Sequence, residues 1–483
     1  MSKKLLAVIA LVVASLFVFT ACGGEDYKFD ALENNPSASA LVSSNGGSYV
    51  QKGEYSYFIN GAEDGTDKNT FGTYHKGSIV RVKTSDLTKK ERVVETVVPK
   101  IIYAEEANSS GFYIYGDKIY YTTPNSGKDT QGNVQMTKLD FMMANINGTG
   151  TKIIATVDDN TQAFRFIQNN DKVYLLYVGT ADVEINEQKT STTAIYEVNC
   201  DTKEQKLVDD NVETVVFDKY ENSNSVAYTK KVVTEGIDGK QVVETECNNL
   251  YKYTAGASES KLIAEAGSAE ELQYVKHTPV SLTDEVVYFN STYKGKKSGN
   301  EFNKAVGTTV TKLASNHYTN IIVSADNQDV IFTQSSGYIV KQAFEDGKAK
   351  KEEKICAEAG DIKFEYVTND YVYYSLVEGY TLHRADVTAG DVVSSQKAIV
   401  GQMKTTLWAS YDFASINGKF CAIYFNDGED IDHINYMYIS WFEQVGESAV
   451  SAKRIGYLSK NEQNYVIEEG DDSYAVDEFT SAE

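Results

Sequence analysis

The sequence predicts an all-β protein, a β-propeller of eight four-stranded blades, with seven blades as the alternative. Three observations predict it. Tyrosine and phenylalanine number 34 and 20 against 4 prolines and 2 tryptophans, and aromatic residues beside Val, Ile and Thr are the composition of pleated, half-buried strands. A hairpin, Phe112-Tyr113-Ile114-Tyr115-Gly116-Asp117-Lys118-Ile119-Tyr120-Tyr121-Thr122-Thr123, folds back at a Gly-Asp turn, and the chain repeats it. At 483 residues the chain exceeds one ordinary core, and a repeat array accounts for the length.

Residues 1–21 are set apart from the fold. Lys3-Lys4 and the apolar run from Leu5 to Phe19 form a secretory leader; the run falls short of the roughly 20 residues that span a bilayer. Phe19-Thr20-Ala21-Cys22 resembles the lipobox of bacterial lipoproteins, with Phe where that family usually has Leu. The resemblance implies lipidation at Cys22 and a place on the extracytoplasmic face of the cell membrane, where two acyl chains make attachment stable. An ordinary cleaved leader is the alternative. Residues 22–47, rich in Gly, Ser, Asn and acids, read as the lipidated start and a flexible tether.

The formal charge is −23, and it becomes more negative when Lys3 and Lys4 leave with the leader. Such a surface repels phosphate backbones, so nucleic acid is excluded as a partner.

Residues 48–460 hold the array. Aligning the second strand of each unit gives the anchors Tyr55, Ile119, Val173, Val226, Val286, Val330, Val372 and Phe420, spaced by 42 to 64 residues. Each follows a turn rich in Gly, Asn, Asp, Lys, Ser or Glu, such as Thr283-Asp284-Glu285 or Asn327-Gln328-Asp329. A third strand follows in every unit, among them Leu139–Met143, Ala194–Val198, Leu250–Tyr253 and Thr309–Leu313. A short fourth strand, such as Lys152–Thr156 or Lys261–Ala264, completes most units; unit five is expected to lack one.

Together with the Gly-Thr-Gly turn in Ile146-Asn147-Gly148-Thr149-Gly150-Thr151-Lys152-Ile153, this order resembles TolB-type propellers. It is similar also to YWTD propellers and to Gram-positive propeller lipoproteins of unassigned function. The Trp-Thr-Asp core of a YWTD repeat is absent, since Tyr121-Thr122-Thr123 stands there. No counterpart of TolB's partner-binding residues is found, so its role does not follow.

No reaction is specified. His75, His277, His317, His383 and His433 are scattered over different units without zinc-ligand spacing, and neither metal nor cofactor is expected. Asn426–Asp432 brings together Asp427, Glu429, Asp430 and Asp432, but Ile431 breaks the alternation of a calcium loop, which leaves a polar hairpin loop as the reading. There is no Gly-x-Ser-x-Gly elbow. Cys200 and Cys247 fall at opposite ends of neighbouring strands, about 17 Å apart where a disulfide needs about 7 Å. Cys200, Cys247, Cys356 and Cys421 are therefore expected as free thiols, with Cys421 buried. Mid-strand tyrosines are expected in the core rather than under a sugar.

Loops joining second to third strands share one face. They are read as long in units one to five: 60–76, 124–136, 179–192, 230–247 (with its own hairpin, 232–246) and 291–306. Long loops commonly carry function. Within this crown Lys294, Lys296, Lys297 and Lys304 form the candidate ligand-binding patch, against the plain reading of a solvated basic loop. Two functions stay open: a non-catalytic, monomeric module binding a protein or an envelope glycan, and a propeller enzyme, a glycan lyase or quinoprotein-like catalyst, using the central channel. Residues 461–483 are an acidic tail without a basic residue, in which Tyr465-Val466-Ile467 can add an edge strand.

Overall fold

The computed structural model describes residues 45–47, 49–59, 79–84, 95–98, 111–124, 138–158, 163–218, 223–235, 240–267, 273–283, 285–377, 382–388, 397–398, 412–416, 419–427, 434–444, 450–461 and 464–468. They form eight antiparallel sheets that succeed one another along the chain. Seven, from Tyr49 to Ala398, follow the four-stranded blade plan, the sixth carrying in addition the two-residue strand Lys348–Ala349. The eighth sheet has five strands, the last being Asn464–Glu468, which contains the expected Tyr465-Val466-Ile467 strand.

All eight anchors lie on second strands. The turns before them need left-handed backbone at Asn170 and Glu285 and at Gly53 and Gly116, which explains their Gly/Asn-rich chemistry. First strands of successive sheets touch one another, the first sheet's with the second's and the fourth's with the fifth's, so the first strand is the inner one. Third and fourth strands pair through a register shift in sheets one to six and in sheet eight, at Phe141/Met142 and Leu250/Tyr251 for example. A bulge adds local twist, and its recurrence at one place gives successive blades the same outward curl.

The core lies between sheets. Phe141 of sheet two meets Phe164 of sheet three edge-on at 4.9 Å. Ile195 and Tyr228 join sheets three and four, Leu250 and Phe289 four and five, Phe302 and Phe344 five and six, Phe332 and Tyr374 six and seven. The mid-strand tyrosines sit here as expected: Tyr57, Tyr121, Tyr228, Tyr288 and Tyr374 have no exposed surface. Their hydroxyls are used, Tyr288 donating to the Gln328 carbonyl at 2.8 Å and Tyr228 to Asp209 at 2.8 Å.

The plan of sheet five corrects the sequence reading. Its third strand is Gly299–Val306 and its fourth Thr309–Ala314, so the unit is complete. The polar residues that made 291–306 read as a loop are satisfied by the sheet and its neighbour: Asn303 donates to Ser291 at 3.1 Å within sheet five, and Lys304 pairs with Asp329 of sheet six. Likewise 179–192 is not a loop but the continuation of two long strands. Gly179, Ala181, Val183 and Ile185 alternate there with exposed Thr180, Asp182 and Glu184, the period of two that marks a strand.

Cys200, Cys247 and Cys356 are buried and outside any disulfide, and burial raises the Cys200 thiol far above its ordinary value. The side chain of Cys421, the segments 60–78 and 125–137, and the candidate calcium residues Glu429, Asp430 and Asp432 lie outside the described residues, as do Cys22 and residues 1–21.

Candidate functional site: the hairpin face of sheets three to five

In sheets three and four the second strand outruns the first and rises with the third as a two-stranded ribbon. Lys172–Ile185 pairs with Gln188–Asn199, whereas the inner strand Ala163–Asn169 stops opposite Val178. Ser225–Glu235 pairs with Gln241–Thr254, which bears out the expected hairpin within 232–246. In sheet five Val286–Gly295 and Gly299–Val306 rise together with the full-length inner strand Gln273–Thr283.

Side-chain amides lock these elements together. Asn186, at the tip of the sheet-three ribbon, donates to the Gln241 carbonyl at 2.7 Å and accepts its N–H at 2.6 Å. Below, Asn248 of sheet four grips the backbone of His277 in sheet five in the same two-pronged way. Gln273 holds the sheet-five tip, accepting from Lys297 N–H at 2.5 Å and donating to the carbonyls of Lys294 and Lys297, both at 2.9 Å. Each amide supplies a donor and an acceptor spaced like those of a peptide group, so it stands in for one rung of a sheet.

The four candidate lysines divide. Lys294, Lys296 and Lys297 cluster at the sheet-five tip. Lys294 pairs with Glu246 of sheet four. Lys297 pairs with Glu301 at 2.8 Å and lies 3.7 Å over the Tyr293 ring, and Lys296 is exposed. Lys304 stands seven residues down the strand, roughly 23 Å away. It is near the opposite end, 15% exposed and 2.5 Å from Asp329 of sheet six. Lys252 and Glu285 make the equivalent bond between sheets four and five at 2.6 Å. In both cases a third-strand lysine reaches the acid just before the next unit's anchor. Lys304 thus belongs to an inter-blade latch.

Beneath the tips lies a polar network, buried at Asn248, His277 and Ser291 and open to solvent at Glu213 and Lys276. Glu213 accepts from Lys276 at 2.8 Å and Asn248 at 2.9 Å; burial pushes its carboxyl up, but these donors outweigh burial and hold it below the usual carboxylate value. His277 Nε2 faces the Glu265 carbonyl at 2.9 Å, so Nε2 carries the proton, and Nδ1 accepts from Ser291 Oγ at 2.9 Å. Burial lowers its pKa and keeps the imidazole neutral. This Ser–His contact has the spacing of an activated nucleophile. Ser291 and His277 are, however, 1% and 4% exposed, and both imidazole nitrogens are committed to the protein, so the pair fastens the fold. His317, also nearby, faces the Ser291 carbonyl at 3.2 Å. His383 lies elsewhere, stacked on Tyr374 at 5.3 Å. Among the described residues no group of three or more His, Cys, Asp or Glu could hold a metal ion.

The outer surface of the ribbons is mixed. Asp182, Glu184, Glu187, Lys189 and Glu235 are exposed beside Val233 and Val242, which are 38% and 44% exposed. Sequence reasoning missed the amides that organise this face. The available signal was a carboxamide in a strand, such as Asn248-Asn249 before Leu250.

Fold and face together define the class: a β-propeller with interlocked long hairpins on one side. No protein-family model matches the chain, and no curated protein matches it. Among solved structures it is similar to a prolyl endopeptidase, with 8% identity and a TM-score of 0.41 over 78% of this chain and 53% of that one. It is similar to oligogalacturonate lyase from Vibrio parahaemolyticus (11% identity, TM-score 0.36, 64% and 83% covered). It is similar also to TolB from Acinetobacter baumannii (15%, 0.27, 56% and 62%). The chain spans about half the length of the prolyl endopeptidase.

Proposed function

We propose that the protein is a membrane-anchored, extracytoplasmic propeller that binds a protein or envelope glycan through the hairpin face of sheets three to five, without catalysis. The observation that carries this reading is the locking of three hairpins into one platform by Asn186–Gln241, Asn248–His277 and Lys294–Glu246. A pre-organised surface binds without the entropic cost of ordering loops. The network beneath is committed to internal hydrogen bonds, which suits a support better than an acid–base site. Lipidation at Cys22 supplies the anchor, and the acidic surface keeps nucleic acid away.

The test is photo-crosslinking in intact cells from positions Glu187, Val242 and Lys296, with Gln328 on the opposite face as the reference. Adducts from the first three and none from Gln328 support the reading. Adducts from Gln328 alone overturn it. Cys22→Ala releases the protein from membranes; its retention there would refute lipid anchoring.

A further inference from the structure

The hairpin face carries opposite charge at its two ends. Its order is fixed by contacts: Asn186 at the sheet-three tip holds Gln241 of the sheet-four ribbon, and Glu246 of that ribbon holds Lys294 at the sheet-five tip. Sheet four therefore stands in the middle. At the sheet-three end Asp182, Glu184 and Glu187 are exposed beside Lys189. At the sheet-five end Lys294, Lys296 and Lys297 are exposed, with the half-buried Glu301 2.8 Å from Lys297. The sheet-four ribbon between them exposes Val233 and Val242 and carries Glu235 and Lys240, of opposite sign.

This chemistry narrows the occupant. Among the described residues no aromatic side chain is exposed, and the Tyr293 ring at the sheet-five tip lies under the Lys297 ammonium, 3.7 Å away. No flat apolar ring is left for a sugar to stack on. A uniformly anionic polymer would meet the sheet-three acids, and a uniformly cationic one the sheet-five lysines. The complement of this row is a second row with its charges reversed end for end. The same face, turned over, is such a row.

We infer that the hairpin face binds a second copy of this chain, across a two-fold axis that lies in the face and crosses the row at the sheet-four ribbon. The inference rests on the reading of this face as a binding surface. Such an axis sets the sheet-three acids of each copy against the sheet-five lysines of the other, so the favourable contact is made twice. It also brings the two sheet-four ribbons together, where contact removes Val233 and Val242 from water. An axis running along the row would lay acids on acids and lysines on lysines, so charge selects the first arrangement. With a formal charge of −23, two copies repel over most of their surface. Association is confined to the face where lysines can meet acids.

Charge reversal tests this in the full chain held in detergent, by sedimentation over a protein-concentration series. Wild type is expected to pass from monomer to dimer as concentration rises. Glu187→Lys and Lys296→Glu, each at an exposed tip, should each weaken the dimer about tenfold while leaving the urea midpoint unchanged. Mixed in equal amounts, the two variants should regain wild-type association, because both reversed ends then meet opposite charge again. A monomer at every concentration, single variants that associate like wild type, or a mixture no stronger than its parts would overturn the inference. Photo-crosslinks from Glu187, Val242 and Lys296 separate this failure from that of the reading beneath it. Adducts at twice the mass of the chain support the second copy. Adducts of another mass keep the face as a binding surface and remove the second copy, and adducts from Gln328 alone remove both.

Discussion

The carboxamide of Asn248 closes on the backbone of His277 in the next sheet, accepting its N–H at 2.6 Å and donating to its carbonyl at 3.0 Å. Asn248 is 1% exposed, and its amide also donates to Glu213 at 2.9 Å. Asn248→Ala strands a buried N–H and carbonyl on His277, at an expected cost of about 2–4 kcal/mol. Asn186→Ala breaks the same geometry at an exposed site, where water replaces the amide, and should cost about 0.5 kcal/mol. Urea unfolding of the two variants checks the contrast.

Lys304 of the sheet-five/sheet-six latch and Lys296 at the hairpin tip make opposite predictions. Lys304→Ala removes a shielded partner of Asp329 and should destabilise the fold by about 1 kcal/mol. Lys296→Ala should leave stability within about 0.5 kcal/mol of wild type while weakening crosslinking at the hairpin face. Denaturant midpoints and adduct yield, measured together, separate scaffold from contact surface.

Acid should open the sheet-four/sheet-five latch. Burial pushes the Glu285 carboxyl up, but the Lys252 ammonium and the Ser223 and Ser225 hydroxyls outweigh it, and the net shift is downward. A carboxyl lowered in the folded state stabilises fully above its unfolded pKa and loses that contribution as pH falls through the folded value, here below about pH 4.3. Glu285→Gln should therefore be less stable than wild type at neutral pH, with the two curves converging at the acid end of a urea-midpoint series.

The repeat was legible because its carriers are local: anchors such as Val226 and Val286 alternate within single strands, and the turns before them show their left-handed residues in the sequence. The platform was less legible because its fasteners act between units. Nothing near Lys294 marks Glu246, nearly fifty residues earlier, as its partner, and nothing near Lys304 marks Asp329. The basic patch therefore read as open charge. The strands through 179–185 and 299–306 were hidden for a related reason, since their acids, Asn303 and Lys304 resemble loop residues until a neighbouring strand satisfies them.

Glu187 occupies the second position of the two-residue turn joining the sheet-three ribbon, with φ of 64° beside Asn186 at 53°. Both are left-handed, as this turn requires, and glycine is preferred at the second place. Glu187→Gly should raise stability by about 0.5–1 kcal/mol. It leaves the Asn186 clasp intact, so the check is a higher urea midpoint with unchanged exchange protection at Gln241 N–H.

His383 should give the fold a second pH dependence, nearer neutrality than that of Glu285. Burial, with no exposed surface remaining, lowers its imidazole to about 4. A base lowered in the folded state stabilises fully above its unfolded value near 6.5, and the contribution drains away as the unfolded chain protonates, ending near the folded value. The loss from about pH 6.5 to pH 4 should approach about 3 kcal/mol. His277, also lowered by burial, adds to the same limb. His383→Gln cannot protonate, so its urea midpoint should fall less steeply across this window, leaving the His277 share. Proton NMR of the His383 ring should show it still neutral at pH 5; a ring already charged there would remove the basis for the slope.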